Sequence, residues 1–200
     1  MESAERKARA PRADGLRNRE RVLLAARACF AVEGRSAQMD AIASEAGVSV
    51  ATVYRHFPDK EALFGALVVE NTVTAAGFAQ VALTEDDPWA SFAGFLTRCA
   101  RLQSENRGLC EALVEGFALD RWAATLADHG LLDATEALLD RGRCAGVIRR
   151  DASAADVALI IGGLAGAMLS GGPLGGDWAR LLTICLDGLR PPPDEVRSSA

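Results

Sequence analysis

The chain has 200 residues, of which 50% are hydrophobic and 24% charged, so it can bury a hydrophobic core without stabilising cross-links such as disulfides. Its five cysteines are odd in number, lie far apart and form no C-x-x-C pair, which argues against a disulfide framework and predicts reduced, buried thiols. The net charge of −5 is uneven: residues 1–60 carry eleven Lys and Arg against eight Asp and Glu, and the other 140 carry eleven against nineteen. A basic end on an acidic body is expected when only that end meets nucleic-acid phosphate.

The polar N-terminal segment, residues 1–17, contains few apolar side chains and is predicted to be a disordered basic arm. Seven Lys and Arg residues fall within the first 21 positions, but no apolar segment accompanies them, so the pattern is not that of a secretory signal. The sequence therefore predicts a cytoplasmic protein. Two interpretations of the arm stay open, namely extra phosphate contacts and a merely solvated tail.

Residues 18–64 are predicted to form a small helical head. Its first helix starts at Asn18, has one apolar face and stops at Gly34, a residue that favours helix ends. A short second helix covers about 39–46 and ends at Gly47. Both ends are therefore marked by glycine.

A third helix is predicted from Ser49, a favourable N-cap, to about Phe57. Pro58 then breaks the chain, and a long fourth helix begins at Asp59. Gly47 can take the left-handed conformation that a tight corner between two helices requires. The spacing predicts a helix-turn-helix, although an ordinary αα-hairpin has the same pattern. The expected apolar seam between the second and third helices consists of Ile42, Ala43, Ala46, Val48 and Val53.

Residues 65–190 are predicted to form a helical body, followed by a disordered tail over 191–200. Helical periodicity and the absence of a convincing alternating strand indicate an all-α fold. Val157–Gly176 contains no charged residue, but its seven glycines and one proline end the helix near Leu169, so the segment is predicted to be a buried helix and not a membrane span. The expected helices, beginning with the one shared with the head, are 59–83, 88–106, 108–117, 121–145, 153–169 and 177–189.

The run from Met39 to Phe64, MDAIASEAGVSVATVYRHFPDKEALF, resembles the N-terminal signature of the tetracycline-repressor (TetR) family. The resemblance extends over about residues 18–66. It implies a sequence-specific DNA-binding regulator, typically a repressor, with a three-helix helix-turn-helix head and a C-terminal ligand-binding and dimerisation body. Upstream positions that also fit the family's first helix are Arg21, Ala25, Ala26, Phe30 and Gly34.

The resemblance also implies roles for the residues around the third helix. Val50, Ala51 and Thr52 are expected near base edges in the major groove of double-stranded DNA. Tyr54 and His56 are expected to hold phosphates, together with Lys60 in the first turn of the fourth helix. Met39, Ser49 and Arg55 complete the predicted DNA-contacting set. Because no Arg or Asn stands at the leading positions of the helix, direct base readout is expected to be modest.

The body has a second, weaker resemblance to the family, in the residues before its last two long helices. Those helices pair across a two-fold axis in such proteins, which implies a homodimer and therefore a palindromic operator. An internal core helix is the alternative interpretation of the same apolar segment. The residues that carry the resemblance are Leu139, Gly142, Gly146 to Arg149, Asp151 and Ala155 to Ala158.

The resemblance further implies an unidentified small-molecule effector that alters the separation of the two heads. The expected pocket is apolar with a few polar groups. Ordinary core filling is the alternative for its aromatic members. The candidate lining is Phe78, Trp89, Phe92, Phe95, Cys99, Phe117 and Trp122, with Asn106, Glu111, Glu115 and His129 as polar anchors.

The sequence contains no arrangement of residues that predicts catalysis. A glycine-rich phosphate loop and a G-x-S-x-G motif are absent, and two histidines without metal-ligand spacing predict no metal site. We therefore expect neither an enzyme nor a cofactor, and no membrane partner. The rival to a ligand-responsive regulator is a DNA-bound adaptor with the same head, whose body binds a protein partner. A solid body core would favour the adaptor.

Overall fold

A computed structural model describes residues 2–115, 119–170 and 176–192, with the backbone alone over 2–13 and 119–123. Helices are the regular structure throughout these ranges, which confirms the predicted all-α fold. A short 3-10 turn, Gly34–Ser36, follows the first helix. The α-helices are α1 (Glu2–Glu33), α2 (Met39–Ala46), α3 (Val50–His56), α4 (Lys60–Ala82), α5 (Pro88–Ser104), α6 (Arg107–Val114), α7 (Leu119–Asp128), α8 (Leu131–Cys144), α9 (Ala154–Leu169) and α10 (Trp178–Gly188).

The chain divides into two compact units, Met1–Leu67 and Val68–Ala200. In unit 1, α1 packs against α2 and α3, and α2 packs against α3. The rings of Phe30 and Phe64 meet edge to face, with centroids 5.8 Å apart. Burial of this apolar surface fixes the positions of the two helices on either side of the Gly47 corner. The fully or nearly fully buried side chains include Val22, Leu23, Ala26, Phe30, Ile42, Val53, Leu63 and Leu67.

Helix α1 differs from the expected element at its start. The sequence predicted a disordered arm over residues 1–17 and a helix from Asn18, whereas the helix of the structure begins at Glu2. The segment 2–10 consists of Ala, Arg, Lys and Glu with one Ser, and the first four of these are among the better helix formers. A segment of this composition can continue a helix that packing stabilises further along the chain.

In unit 2, α9 packs against α5, α6, α8 and α10, and α7 packs against α8. One guanidinium, that of Arg141 in α8, donates to the carbonyls of Ala82 and Leu83 at 3.4 and 3.1 Å and also to those of Glu85 and Asp86. It thereby satisfies carbonyl groups that the end of α4 leaves without helical partners. The core of unit 2 includes Phe92, Phe95, Leu96, Leu138, Leu139, Ile148 and Leu164.

The segment predicted as one helix over 121–145 is two helices in the structure. Gly130 takes φ +68° between α7 and α8, and a helix cannot continue through a left-handed residue. The helical periodicity of the flanking residues concealed this break, because it continues on both sides.

Helix α4 is long and apolar enough, by length and composition alone, to cross a membrane. A buried core helix passes the same test. Leu63 and Leu67 of α4 are buried in unit 1, and Ala79 and Ala82 are buried in unit 2. We therefore interpret α4 as a core helix.

Candidate nucleic-acid interface

The corner between α2 and α3 depends on Gly47, which adopts φ +62° and ψ +39°. Its N–H donates back to the carbonyls of the last turn of α2, which ends the helix. Its own carbonyl accepts a hydrogen bond of 3.1 Å from the Arg21 guanidinium of α1. The negative end of α2 thus lies beside a cation, and α1 is tied to the corner from which α3 departs.

Helix α3 begins at a side-chain cap. The backbone N–H of Thr52 donates to the Ser49 hydroxyl at 3.2 Å, and the two hydroxyl oxygens of Ser49 and Thr52 lie 2.8 Å apart. The cap satisfies one of the free N–H groups at the helix start and fixes the direction of the first turn. On that turn Ala51 is exposed, while Val50 is half-buried.

The face of α3 opposite the core presents polar side chains to solvent. Tyr54 is 48% exposed and Arg55 is exposed, whereas Val53 and Phe57 are buried. His56 is half-buried, and its Nε2 atom is buried without a hydrogen-bond partner among the described residues. The seven-residue helix α3 is thus buried against the core of unit 1 on one face and exposed to solvent on the opposite face.

Lys60 lies at the start of α4, where the sequence predicted a phosphate contact. Its Nζ donates to the backbone carbonyl of Arg35 at 3.0 Å, so it ties α4 to the 3-10 turn after α1. An ammonium group has three donors, so this bond leaves two for another partner. The Asp59 carboxylate accepts from the N–H of Ala62 at 2.7 Å and caps α4.

Met39 needs a correction. The sequence placed it among the DNA-contacting residues, but its side chain is only 7% exposed. Met39, Ile42, Ala43 and Ala46 follow the spacing of one helix face, and all four are buried in unit 1. Met39 is therefore a core residue of the head.

The aromatic residues predicted to line a pocket belong largely to the core of unit 2. Phe92 and Phe95 are 0% and 2% exposed. Phe78, Trp89 and Cys99 are partly buried and pack against the same core. The guanidinium of Arg190 lies 3.8 Å from the centroid of the Trp89 ring, in position for a cation–π contact.

The predicted polar anchors do not come together around a pocket. Asn106 caps α6, since its side-chain Oδ1 atom accepts a hydrogen bond from the N–H of Leu109 at 3.0 Å. Glu111 pairs with Arg107 at 2.8 Å. Glu115 and His129 are exposed. Phe117 and the Trp122 side chain lie outside the described residues.

Two residues of interest were missed by sequence reasoning as functional groups. The sequence identified Arg21 only as a position that matches the family pattern. Its hydrogen bond to the Gly47 carbonyl was not predicted, because the two residues are 26 positions apart in the chain. Asn71 of α4 is 9% exposed, and its Nδ2 atom has no partner within the described part of the chain. The sequence feature that could have identified Asn71 is an amide side chain within a largely apolar helix.

The head geometry has counterparts among known families. A family model described as bacterial regulatory proteins, tetR family, matches residues 22–67, and one described as the C-terminal domain of SbtR-like transcriptional regulators matches residues 87–191. The chain belongs to the TetR family. Its members are DNA-binding transcriptional regulators and not enzymes.

Solved structures agree with this assignment. A TetR regulatory protein from Mycobacterium vanbaalenii is 33% identical, with a TM-score of 0.61 over 90% of this chain and 98% of that one. A TetR regulator from Streptomyces coelicolor is 28% identical, with a TM-score of 0.62 over 86% and 98%. RolR, solved in complex with resorcinol, shares the fold at 22% identity, with a TM-score of 0.62 over 93% and 94%. No curated protein sequence matches the chain.

Proposed function

We propose that this TetR-family protein is a repressor that binds a palindromic operator as a homodimer and is released by a small, largely apolar ligand. The observation that carries the DNA-binding part is the geometry of α3. The helix is capped at Ser49 and anchored through Val53 and Phe57, and it turns Ala51, Tyr54 and Arg55 toward solvent.

The residues of α3 that are not buried divide between base contacts and phosphate contacts. Val50, Ala51 and Thr52 lie on its first turn, where methyl groups suit contact with thymine. Tyr54, Arg55 and His56 follow, and hydroxyl, guanidinium and imidazole groups suit phosphate oxygens. Ser49 acts mainly through its cap. We expect sequence preference to come from the first turn, from DNA shape and from half-site spacing.

Lys60 has two roles in this proposal. In the free protein it holds the Arg35 carbonyl, and on DNA its remaining donors bind a phosphate beside the first turn of α4. The Lys60 ammonium would then contact both the Arg35 carbonyl within the head and a phosphate of the operator.

The dimer is proposed from the exposed apolar residues of the last two helices. Leu159 of α9 is 74% exposed, and Leu181 and Ile184 of α10 are 37% and 56% exposed. A surface depression of about 540 Å³ runs along α10 and includes Ile184. A second copy of the chain would cover these side chains and place two α3 helices in successive major grooves.

Release is proposed to occur by population shift. A ligand that binds unit 2 better in one head separation than in another lowers the fraction of dimers that match the operator. The resorcinol complex of RolR supports the capacity of this fold to hold a small molecule. The alternative, an adaptor whose body binds a protein, is favoured by one observation: Phe92 and Phe95 are packed into the core.

Fluorescence anisotropy with short duplexes tests the DNA contacts. Tyr54→Phe removes one phosphate hydrogen bond and should weaken binding about tenfold on all sequences alike. Lys60→Ala should also reduce the salt dependence of log K by about one. His129→Ala, an exposed change in unit 2, is the control and should bind as the wild type does. Equal affinity of Tyr54→Phe and the wild type would contradict the proposed docking.

A further inference from the structure

Among the described polar residues of unit 2 that are buried as a whole, Asn71 alone has a buried side-chain nitrogen without a hydrogen-bond partner. Within the described part of the unit, six polar residues are buried: Asn71, Thr72, Ser91, Gln103, Asn106 and Thr135. Thr72 donates to the carbonyl of Val68 at 2.9 Å, Gln103 to that of Ile161 at 3.1 Å and Thr135 to that of Leu131 at 2.8 Å. Ser91 donates to Asp87, and Asn106 caps α6. The Asn71 amide nitrogen has no such partner.

An unpaired amide at this position has a cost that an apolar residue would avoid. Asn71 is 9% exposed, so water is largely removed from it, and the desolvation of its N–H donors is not offset by a bond within the protein. Its neighbour hydroxyls do not compensate, because Thr72 and Thr74 each donate to the carbonyl one turn earlier in α4. The donor of Asn71 therefore stays available.

Asn71 shares one face of α4 with apolar residues, and a second buried donor without a partner occurs elsewhere among the described residues of unit 2. Ala75 and Phe78 follow Asn71 at spacings of four and seven residues and lie on the same face of α4. The Arg98 guanidinium lies 6.0 Å from the centroid of the Phe78 ring. The Nε atom of Arg98 is also buried without a partner, although its Nη2 reaches Glu85 at 3.5 Å. Both buried side-chain atoms that lack a partner within the described part of unit 2 are thus N–H donors.

A buried amide with an unpaired donor on an apolar helix face selects a particular ligand chemistry. A ketone or carboxylate oxygen can accept from the Asn71 amide, whereas a hydrocarbon leaves it unpaired and an ammonium group brings only further donors. We propose that Asn71 is a ligand-binding residue and that its Nδ2 donates to a carbonyl or carboxylate oxygen of an effector with an apolar body. This inference rests on the proposed function, because it specifies the ligand to which the regulator responds.

The location of Asn71 suits such a role. It lies on α4, the helix whose first residue, Lys60, is proposed to hold a DNA phosphate. A ligand held by Asn71 would therefore contact the helix whose first residue is Lys60.

Thermal unfolding in the absence of DNA tests the proposal directly. Acetophenone and benzoate supply an acceptor oxygen on an apolar ring, and ethylbenzene is the matched probe without one. At millimolar concentration, either oxygenated probe should raise the Tm of the wild type, and ethylbenzene should not. Asn71→Leu should unfold at the same temperature as the wild type or higher without probe, and should lose the probe response. Gln80→Leu, an exposed change on the same helix, should keep it.

A second readout covers the case in which Asn71→Leu fails to fold. The 15N side-chain amide resonance of Asn71 in the wild type should move on titration with the oxygenated probe that raises the Tm. The proposal is overturned if neither oxygenated probe raises the Tm, if ethylbenzene acts equally, or if the resonance stays in place. A destabilised Asn71→Leu that keeps the probe response would also overturn it and would indicate a structural water on the amide.

The DNA arm of the experiment separates this inference from the proposed function. If a probe binds through Asn71 but leaves the protein on its operator, the site stands and ligand-induced release is wrong. If the protein binds no preferred DNA sequence, the repressor proposal fails while the Asn71 measurements remain valid.

Discussion

Gly47 shows how strongly the head depends on the conformation of a single residue. Its φ of +62° is readily available to glycine alone, and a Cβ atom built at this position would lie 2.8 Å from Nη2 of Arg21. The same guanidinium donates to the Gly47 carbonyl. Backbone conformation and the Arg21 contact therefore both disfavour any other residue at the corner.

Gly47→Ala should destabilise unit 1 by about 1–2 kcal/mol, the usual cost of a left-handed non-glycine residue. Urea denaturation followed by circular dichroism measures this change. Gly65→Ala is the matched control, because a Cβ at this helical position meets no atom within 4 Å. It should stabilise the protein by about 0.5–1 kcal/mol. Equal effects of the two substitutions would contradict the role given to the corner.

Features of the candidate site that depend on neighbouring residues could be predicted from the sequence, whereas those that depend on tertiary packing could not. The Gly47 corner and the Ser49 cap were predictable, because both depend on interactions over a few neighbouring residues. The burial of Met39 was not, since the inward face of an eight-residue helix is decided by what packs on it. The unpaired amide of Asn71 is likewise a property of the folded neighbourhood.

At the scale of elements, α9 has the most complete start of the described helices. Ser153 and Asp156 form a reciprocal capping box: the Asp156 carboxylate accepts from the Ser153 N–H at 2.8 Å, and the Asp156 N–H donates to the Ser153 hydroxyl at 3.4 Å. Because α9 packs against four other helices, this cap supports the centre of unit 2.

Ser153→Ala removes the side-chain half of this cap and should destabilise unit 2 by about 1 kcal/mol. Ser104→Ala is the control, because the Ser104 hydroxyl donates only to the Arg101 carbonyl of its own helix. It should change the free energy of unfolding by no more than about 0.5 kcal/mol. Chemical denaturation of both variants gives the comparison, and a Ser153→Ala as stable as the wild type would count against the cap.

The capping box also predicts a dependence on acid. Hydrogen bonds from the Ser153 hydroxyl and N–H lower the pKa of Asp156 from its ordinary value of 3.8. A carboxylate with a lowered folded-state pKa adds stability above its unfolded pKa, and that stability is lost as the pH falls through the folded value. The difference in Tm between the wild type and Asp156→Asn should therefore shrink below about pH 4. A difference that does not change with pH would contradict this.

Element boundaries show where sequence patterns were sufficient. The limits of α2 and α3 were predicted to within a residue or two, because Gly47, Ser49 and Pro58 mark them. The break at Gly130 was missed, because a single glycine inside an apolar periodic segment does not by itself end a helix. The α1 start was missed because good helix formers without an apolar face carry no packing signal.

At the scale of the whole molecule, the proposed dimer is the feature on which operator recognition depends. Leu159→Glu and Ile184→Glu place charges on the most exposed apolar positions of α9 and α10 and should give monomers in sedimentation experiments. Val32→Glu, at a 78% exposed position of α1, is the matched control and should leave the assembly unchanged. Dissociation by the control alone would place the interface elsewhere.

The two units also differ in how far their function follows from sequence. The head signature occupies one continuous run, residues 39–64, so DNA binding was predictable before the structure. The residues predicted to line a ligand pocket belong to separate helices, and two of the predicted anchors, Glu115 and His129, are exposed. Family membership establishes that the protein is a DNA-binding regulator. The identity of the proposed effector depends on the particular side chains of unit 2.

Footprinting of the purified protein on genomic DNA from its own host is the most direct test of operator recognition by a homodimer. We expect protection of inverted repeats whose half-site centres lie one helical turn, about 34–36 Å, or a multiple of it apart. Tyr54→Phe should weaken every footprint without changing the protected sequences. Uniform protection with no preferred sequence, or protection of single unrepeated half-sites, would show that the protein does not bind a palindromic operator as a homodimer.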